Sequence, residues 1–403
     1  MLPVEAAEEK SPSLHELETT TKQRIRLALF ISSLGCGGAE RVICTMANYW
    51  AERRVDVTLL TLDHGEPSFY SVHPAVKRRA LGMMAESSNL LVGLARNLHR
   101  IAELRRAIRT IKPDVVISFM DKNNILAVWA TRLTEVPVIV SERSDPAYYD
   151  IGRIWGLLRR LSYPFADVLV CQSSAILARV RPMGNRKGIV IPNPVALPVA
   201  ANNHNAKHNS DKTNHSVIAM GRLVPQKGFD LLLAAFGRIS RKHPDWSLTI
   251  LGEGTIRKEL EDQAKSLGVA ERVYFAGQTA DPFPVLRQAD LFVLSSRFEG
   301  FPNALCEAMA CGLAVVSFDC PSGPAQIIQD GIDGVLAPPE DVGALAATLD
   351  RLMGDAAERR RLASCAPQVL ERFGVETVME QWNGVIRTVL SGRDLSAAHS
   401  GQV

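Results

Sequence analysis

At 403 residues the chain exceeds what one ordinary core holds, and two domains are expected. Apolar residues make up 46% and charged residues 22% of it, the balance of a soluble globular protein. The formal net charge of +3 is too small to argue for nucleic acid, and no such partner is expected.

Residues 1–22 open as MLPVEAAEEK and stay polar, with no apolar run that could serve as a signal peptide; a disordered tail is expected there. No stretch approaches the roughly 20 apolar residues of a membrane span. The seven cysteines, Cys36, Cys44, Cys171, Cys306, Cys311, Cys320 and Cys365, are scattered and never spaced C-x-x-C. An odd, dispersed set favours reduced thiols in a cytosolic protein over a disulfide framework or a zinc site.

From 23 to 195, short apolar runs alternate with helical patterns. IRLALFI (25–31), DVTLLTL (56–62), DVVISF (114–119), PVIVS (137–141), DVLVCQ (167–172) and GIVIP (188–192) are the strand candidates. Continuous runs of this kind indicate a buried parallel sheet. Behind the first lies SSLGCGGAERV (32–42), where Gly35, Gly37 and Gly38 permit close backbone approach and a helix begins near Ala39. The sixth position from Gly35 is Glu40, so this is no G-x-G-x-x-G fingerprint, and a nicotinamide enzyme is disfavoured. A tight turn without a ligand is the other reading.

Two stretches of this half are basic and apolar together. RNLHRIAELRRAIRTIK (96–112) sets Leu98, Ile101, Leu104, Ile108 and Ile111 at helical spacing among arginines. RIWGLLRRLSYPF (153–165) mixes Arg153, Arg159 and Arg160 with Trp155, Leu157 and Leu158. Each is either a core-packed helix with a solvated basic face or a helix for an anionic lipid surface. Core packing is favoured for the first, and membrane contact for the second.

ALPVAANNHNAKHNSDKTNHS (196–216) has no periodicity and reads as a linker over 196–215. Its histidines, His204, His208 and His215, read as solvated rather than metal-binding. The alternation then resumes over 216–374 with SVIAMG (216–221), SLTILG (247–252), RVYFAG (272–277), DLFVLS (290–295) and AVVSF (314–318) as strands. DLLLAAFGRIS (230–240) and IRKELEDQAKSLG (256–268) are helical. Two strand–helix series joined by a linker predict two doubly wound α/β domains, with a ligand in the cleft at the carboxyl ends of the strands. The helix VETVMEQWNGVIRTVL (375–390) is expected to pack back on the first domain, and 391–403 to be an unstructured tail.

The loop MGRLVPQKGFD (220–230) puts Arg222 and Lys227 between a strand and a helix, with Gly221 and Gly228 beside them. A planar guanidinium and a point charge at such a junction suit a diphosphate, although a lone pair of this kind is more often a surface feature. SSRFEGFPNALCEAMACG (295–312) holds Glu299 in a loop and Glu307 about a turn and a half into the next helix. Two carboxylates beside free backbone N–H groups suit a hydroxyl-rich, phosphate-bearing ligand. A solvated loop glutamate and a helix-surface glutamate are the alternative.

Together these elements resemble the retaining glycosyltransferases of family 4, with the GT-B fold of two Rossmann-like domains facing across a cleft. The Glu-x7-Glu stretch, EAMACGLAVVSF, GRLVPQKGFD, LGEG (251–254) and IPNPV (191–195) stand in the family's order over roughly 25–390. The resemblance implies a UDP-sugar substrate held mainly by the second domain. It gives Arg222 and Lys227 the diphosphate, Glu307 the ribose hydroxyls and Glu299 the sugar hydroxyls, with Phe301, Pro302 and Asn303 helping. Gly37 and Gly38 approach the donor phosphate, and Gly277 and Gln278 line the base. It implies transfer of a hexose or N-acetylhexosamine with retention, with no cofactor and no metal; the sequence has no Asp-x-Asp.

One segment departs from the common pattern. Many members carry a histidine after the strand equivalent to PVIVS, whereas this chain has SERSDP, Glu142, Arg143 and Asp145 included. A subgroup that builds bacterial surface polysaccharides and lipid-linked oligosaccharides looks similar there. Arg143 and Asp145 are therefore candidates near the sugar or acceptor, against a capped turn with a surface ion pair. The expected protein is cytoplasmic, docks on the inner face of the membrane and glycosylates a saccharide or lipid-linked acceptor. A nucleotide-sugar 2-epimerase or a non-catalytic sugar-nucleotide-binding subunit are the alternatives.

Overall fold

A computed structural model describes residues 24–84, 90–183, 187–197 and 214–400. The first sheet holds β1 (Arg26–Ile31), β2 (Asp56–Thr61), β3 (Lys77–Ala80), β4 (Val115–Phe119), β5 (Val138–Glu142), β6 (Val168–Cys171) and β7 (Gly188–Val190). Its order is β3-β2-β1-β4-β5-β6-β7. The second holds β8 (His215–Met220), β9 (Trp246–Leu251), β10 (Val273–Gly277), β11 (Leu291–Leu294), β12 (Ala314–Phe318) and β13 (Val335–Ala337), in the order β10-β9-β8-β11-β12-β13. Every pairing in both is parallel. These are two Rossmann-like domains with helices on both faces, as in the GT-B fold.

The continuous apolar runs are explained by burial on both faces. Along β1, Leu27, Leu29 and Ile31 enter one core while Ala28 and Phe30 enter the core on the other side. The two-residue period of a strand then demands an apolar side chain at every position. β8 repeats this, with Val217 and Ala219 on one face and Ile218 on the other. β3 and β13 had no such signal. β3 is the mostly exposed edge strand KRRA, and β13 is three residues long.

The last helix, Val375–Ser400, crosses back to the first domain. Val378, Met379, Trp382 and Ile386 are buried in the core beneath β1 and β4. Trp382 stacks on Phe119 at 6.3 Å, and Trp50 Nε1 donates to Asn383 Oδ1 at 2.9 Å. The crossing is pinned where Val195 N donates to Phe373 O at 2.8 Å. The tail expected over 391–403 is instead helical as far as Ser400. Apolar periodicity ends at Leu390, but a helix already nucleated gains one hydrogen bond for each residue it fixes, and it continues even through the weak helix formers of SGRDLSAAHS.

The tail expected at 1–22 and most of the linker, with His204 and His208, lie outside the described residues. His215 belongs to β8 rather than to a linker. Its ring stacks on Trp246 at 4.9 Å, and its Nδ1 lies 3.2 Å from Asp290 Oδ1.

Because Trp382 fills the first domain's core from the chain's far end, Trp382→Ala is expected to cost about 3–5 kcal/mol. Thermal unfolding checks this, and an unchanged midpoint would show that the helix adds nothing to that core.

Candidate active site

In each sheet the order reverses once, between β1 and β4 and between β8 and β11. Ligands bind at such switch points, outside the carboxyl ends of the strands. The loops after these four strands meet in one cleft, around a cavity of about 370 Å³ lined from both domains.

The loop after β8 is fixed by close backbone packing. Gly221 N donates to Leu251 O, and Leu223 N to Glu253 O, both at 2.9 Å. A Cβ on Gly252, at φ +147°, would strike the Gly221 carbonyl. Gly228, at φ +61°, lies equally close to the Ser295 carbonyl, bringing the loop against the end of β11. Arg297 then clamps the two loops. Its guanidinium makes a bidentate pair with Asp230 at 2.8 and 2.7 Å and donates to Pro225 O at 2.7 Å. Arg297 was not foreseen, because its partners are 67 and 72 positions away in the chain.

Held this way, Lys227 Nζ sits 2.6 Å from Glu299 Oε1, which also accepts from Ser296 Oγ at 2.6 Å. Arg222 lines the same cavity and is exposed; its guanidinium has no hydrogen-bond or ion-pair partner among the described residues. One cation is thus paired and in place, and the other is open to an anion.

Beyond Glu299 the chain presses on the first domain. A Cβ on Gly300 would lie 2.7 Å from Arg143 O and 2.9 Å from Gln172 Oε1. Phe301 packs edge-on against Phe373 at 5.4 Å, and Pro302 precedes the helix Asn303–Ala310. Asn303 bridges the cleft: Asn193 Nδ2 donates to its Oδ1 at 2.7 Å, and its own Nδ2 donates to Gly38 O at 3.3 Å. Gly37 and Gly38 open the helix Gly38–Glu52 at the opposite wall. Glu307 is buried with Arg41 Nε at 3.1 Å. Burial pushes its carboxyl up to about 7, and Arg41 pulls the other way. Gly277 and Gln278 line the far end of the cavity, where Gly252 N donates to Gly277 O at 2.7 Å.

The structure separates the two candidates of SERSDP. Arg143 lines the cavity, with its guanidinium carbon over the Phe119 ring, 3.7 Å from its centroid. Burial pulls its pKa down to about 9. The Asp145 carboxylate is engaged by Arg179 and by Ser322 of the second domain, so it ties the domains at the rim. Glu142 is buried behind them, accepting from Tyr163 OH at 2.6 Å.

The basic stretches also divide. In the helix Arg153–Ser162, Arg159 is buried 3.7 Å from Glu142, not on the surface as expected. Burying the Glu142 carboxyl requires a nearby counter-charge, and Arg159 provides it. Ile154, Leu157, Leu161 and Phe165 are exposed, while Trp155 and Leu158 pack inward. In the helix Leu90–Ile111, Leu104 and Ile108 are buried, whereas Leu94 and Leu98 are exposed.

Two family models match the chain: "Glycosyl transferase 4-like domain" over 37–194 and "Glycosyl transferases group 1" over 201–369. The lipopolysaccharide core biosynthesis glycosyltransferase LpsE of Rhizobium meliloti is 31% identical over 352 residues, 86% of this chain and 94% of that protein. The "GalNAc-alpha-(1->4)-GalNAc-alpha-(1->3)-diNAcBac-PP-undecaprenol alpha-1,4-N-acetyl-D-galactosaminyltransferase" of Campylobacter jejuni is 29% identical, covering 91% of this chain and 99% of that one. Among solved structures, Anabaena Alr3699/HepE in complex with UDP superposes with a TM-score of 0.72 at 20% identity, over 90% of this chain and all of that one.

Glu307 generates a pH prediction. Its folded-state pKa, about 7, lies above the ordinary 4.5. The stability it contributes is therefore fully present below about 4.5 and lost as pH rises through about 7. Relative to Glu307→Gln, the wild type should lose on the order of 2–3 kcal/mol between pH 5 and 8. Denaturant midpoints of both proteins across that range measure it; parallel pH curves would contradict the assignment.

Proposed function

The chain belongs to the glycosyl transferases group 1 family, and we propose that it moves a hexose or N-acetylhexosamine from a UDP-sugar to a saccharide acceptor in bacterial surface-polysaccharide biosynthesis. The observation that carries this is the convergence of Arg222, the Lys227–Glu299 pair and Glu307 on one cavity between the domains. The activities for which the relatives from Rhizobium and Campylobacter are named, and UDP in the Anabaena structure, support the reading.

In this reading Arg222 and Lys227 hold the diphosphate. Glu307 accepts from the ribose hydroxyls, and Glu299 accepts from the donor sugar beside the backbone of Phe301, Pro302 and Asn303. Gly277 and Gln278 flank the base, and the helix that Gly37 and Gly38 open directs its N-terminus toward the donor phosphate. The bond from the sugar's anomeric carbon to the UDP oxygen breaks, and a bond to the acceptor oxygen forms on the same face. The acceptor's proton passes to the departing phosphate. The protein's task is electrostatic: two cations stabilise the charge that grows on the leaving diphosphate, without a metal or a side-chain base.

The acceptor is proposed to be lipid-linked and reached from the inner face of the membrane. Ile154, Leu157, Leu161 and Phe165 form an exposed apolar stripe, flanked by exposed Arg153 and Arg160. Apolar side chains rimmed by arginine suit an anionic bilayer surface. No helix among the described residues is long and apolar enough to cross a membrane.

Nucleotide release from a panel of UDP- and GDP-sugars, with and without lipid-linked oligosaccharide acceptors, tests the activity. Acceptor-dependent UDP release from one sugar is expected, falling about a hundredfold or more in Glu299→Ala. Conversion of a UDP-sugar with no acceptor would instead make the protein an epimerase. For the membrane, the double substitution Leu157→Glu and Leu161→Glu should abolish salt-sensitive sedimentation with anionic vesicles. Equal sedimentation of variant and wild type would rule out this face.

A further inference from the structure

Arg143 is a buried cation whose counter-charge is missing. Its residue is 8% exposed, and among the described residues it forms no ion pair. The two carboxylates nearest in sequence are engaged elsewhere, Glu142 by Tyr163 and Arg159, and Asp145 by Arg179 and Ser322. One guanidinium face is covered by Phe119, and Nη1 donates to Asn193 Oδ1. Nε and Nη2 have no hydrogen-bond partner. The same Asn193 oxygen accepts from Gln172 Nε2 at 2.7 Å, so it is already shared, and Gln172 Oε1 is unpartnered too. Arg143, Gln172 and Asn193 all line the cleft, at the place where Gly300 presses on the first domain.

An unpaired buried charge and unmade hydrogen bonds both cost stability. A fold that needed only a strut here would do better with an apolar side chain of the same shape. The arrangement makes sense if a ligand completes it. Two N–H groups on one edge of a rigid fork suit an oxyanion, and Gln172, held on the same Asn193 oxygen, has an unpartnered Oε1 that suits a hydroxyl on the same ligand.

From this we infer that Arg143, with Gln172, forms a substrate subsite on the first-domain wall for a phosphate or carboxylate oxygen with a neighbouring hydroxyl. The inference rests on the sugar-nucleotide reading of the cleft. Three parts of the substrates carry that chemistry: the donor diphosphate, a carboxylate on the donor sugar, and the diphosphate of a lipid-linked acceptor.

Calorimetric titration of the full chain and of Arg143→Met distinguishes them. The probes are UDP, UDP-glucose, UDP-glucuronate and a short-chain polyprenyl diphosphate bearing one N-acetylhexosamine. Without ligand, Arg143→Met should melt at or above the wild-type temperature. It should lose roughly ten- to hundredfold in affinity for the probe that carries the oxyanion. Loss with UDP and both UDP-sugars assigns the donor diphosphate. Loss confined to UDP-glucuronate assigns a sugar carboxylate, and loss confined to the polyprenyl probe assigns the acceptor diphosphate. Arg143→Lys, which keeps the charge but not the fork, should recover only part of the affinity. Affinities within twofold for all four probes, or a lower melting temperature with a uniform loss, would overturn the subsite and leave the donor reading standing. Arg143-dependent binding of the polyprenyl probe, with no UDP or UDP-sugar bound by wild type, would do the reverse. No binding of any probe by wild type would sink both.

Discussion

A parallel sheet sends the carboxyl ends of all its strands to one edge, and this constraint governs the whole molecule. Side chains within the strands are consumed by burial on both faces, so chemistry is left to the loops that leave that edge. Two such sheets set edge to edge bring four loops together at their switch points. Arg222, Lys227 and Glu299 all hang from them, and Glu307 is carried on the helix that one of them opens. The sheets provide rigidity and the loops provide the polar groups.

The loops are held without a ligand. Gly228 and Gly252 let backbone lie on backbone, Arg297 stitches the loop after β8 to the loop after β11, and Asn303 reaches Asn193 and Gly38 across the cleft. Charge in the cleft is handled in contrasting ways. Glu299 and Glu307 each have a cation at hydrogen-bonding distance, Lys227 and Arg41. Arg222 is exposed to solvent, so its lack of a partner costs little. Arg143 is unpaired and buried, and that difference separates an ordinary surface charge from a functional candidate.

What could be read from the sequence followed from how local its cause was. Most of the eleven strands that could be read are interior ones, where burial on both faces demands unbroken apolar runs; the edge strands β7 and β10 are partly exposed and showed only because their residues happen to be apolar, whereas the edge strand KRRA is almost wholly polar. Glu299 and Glu307 were visible because seven intervening residues set their geometry through a single loop and helix. Arg41, Gln172, Asn193 and Arg297 were invisible because the partners that give them meaning lie on other elements. Arg159 misled for the same reason. Its place in a basic run suggested a surface, but a buried carboxylate on β5 draws it inward.

The last helix also imposes an order on biosynthesis. Trp382 and Ile386 complete the core that β1 and β4 begin, yet more than 250 residues of chain separate these parts. A chain emerging from the ribosome makes the first sheet early and must hold it with an unfilled core while the second domain is built. The two apolar cores of the second domain, by contrast, draw only on residues between Val195 and Phe373. The part synthesised first is therefore the part finished last, and exposed apolar surface persists longest around β1 and β4.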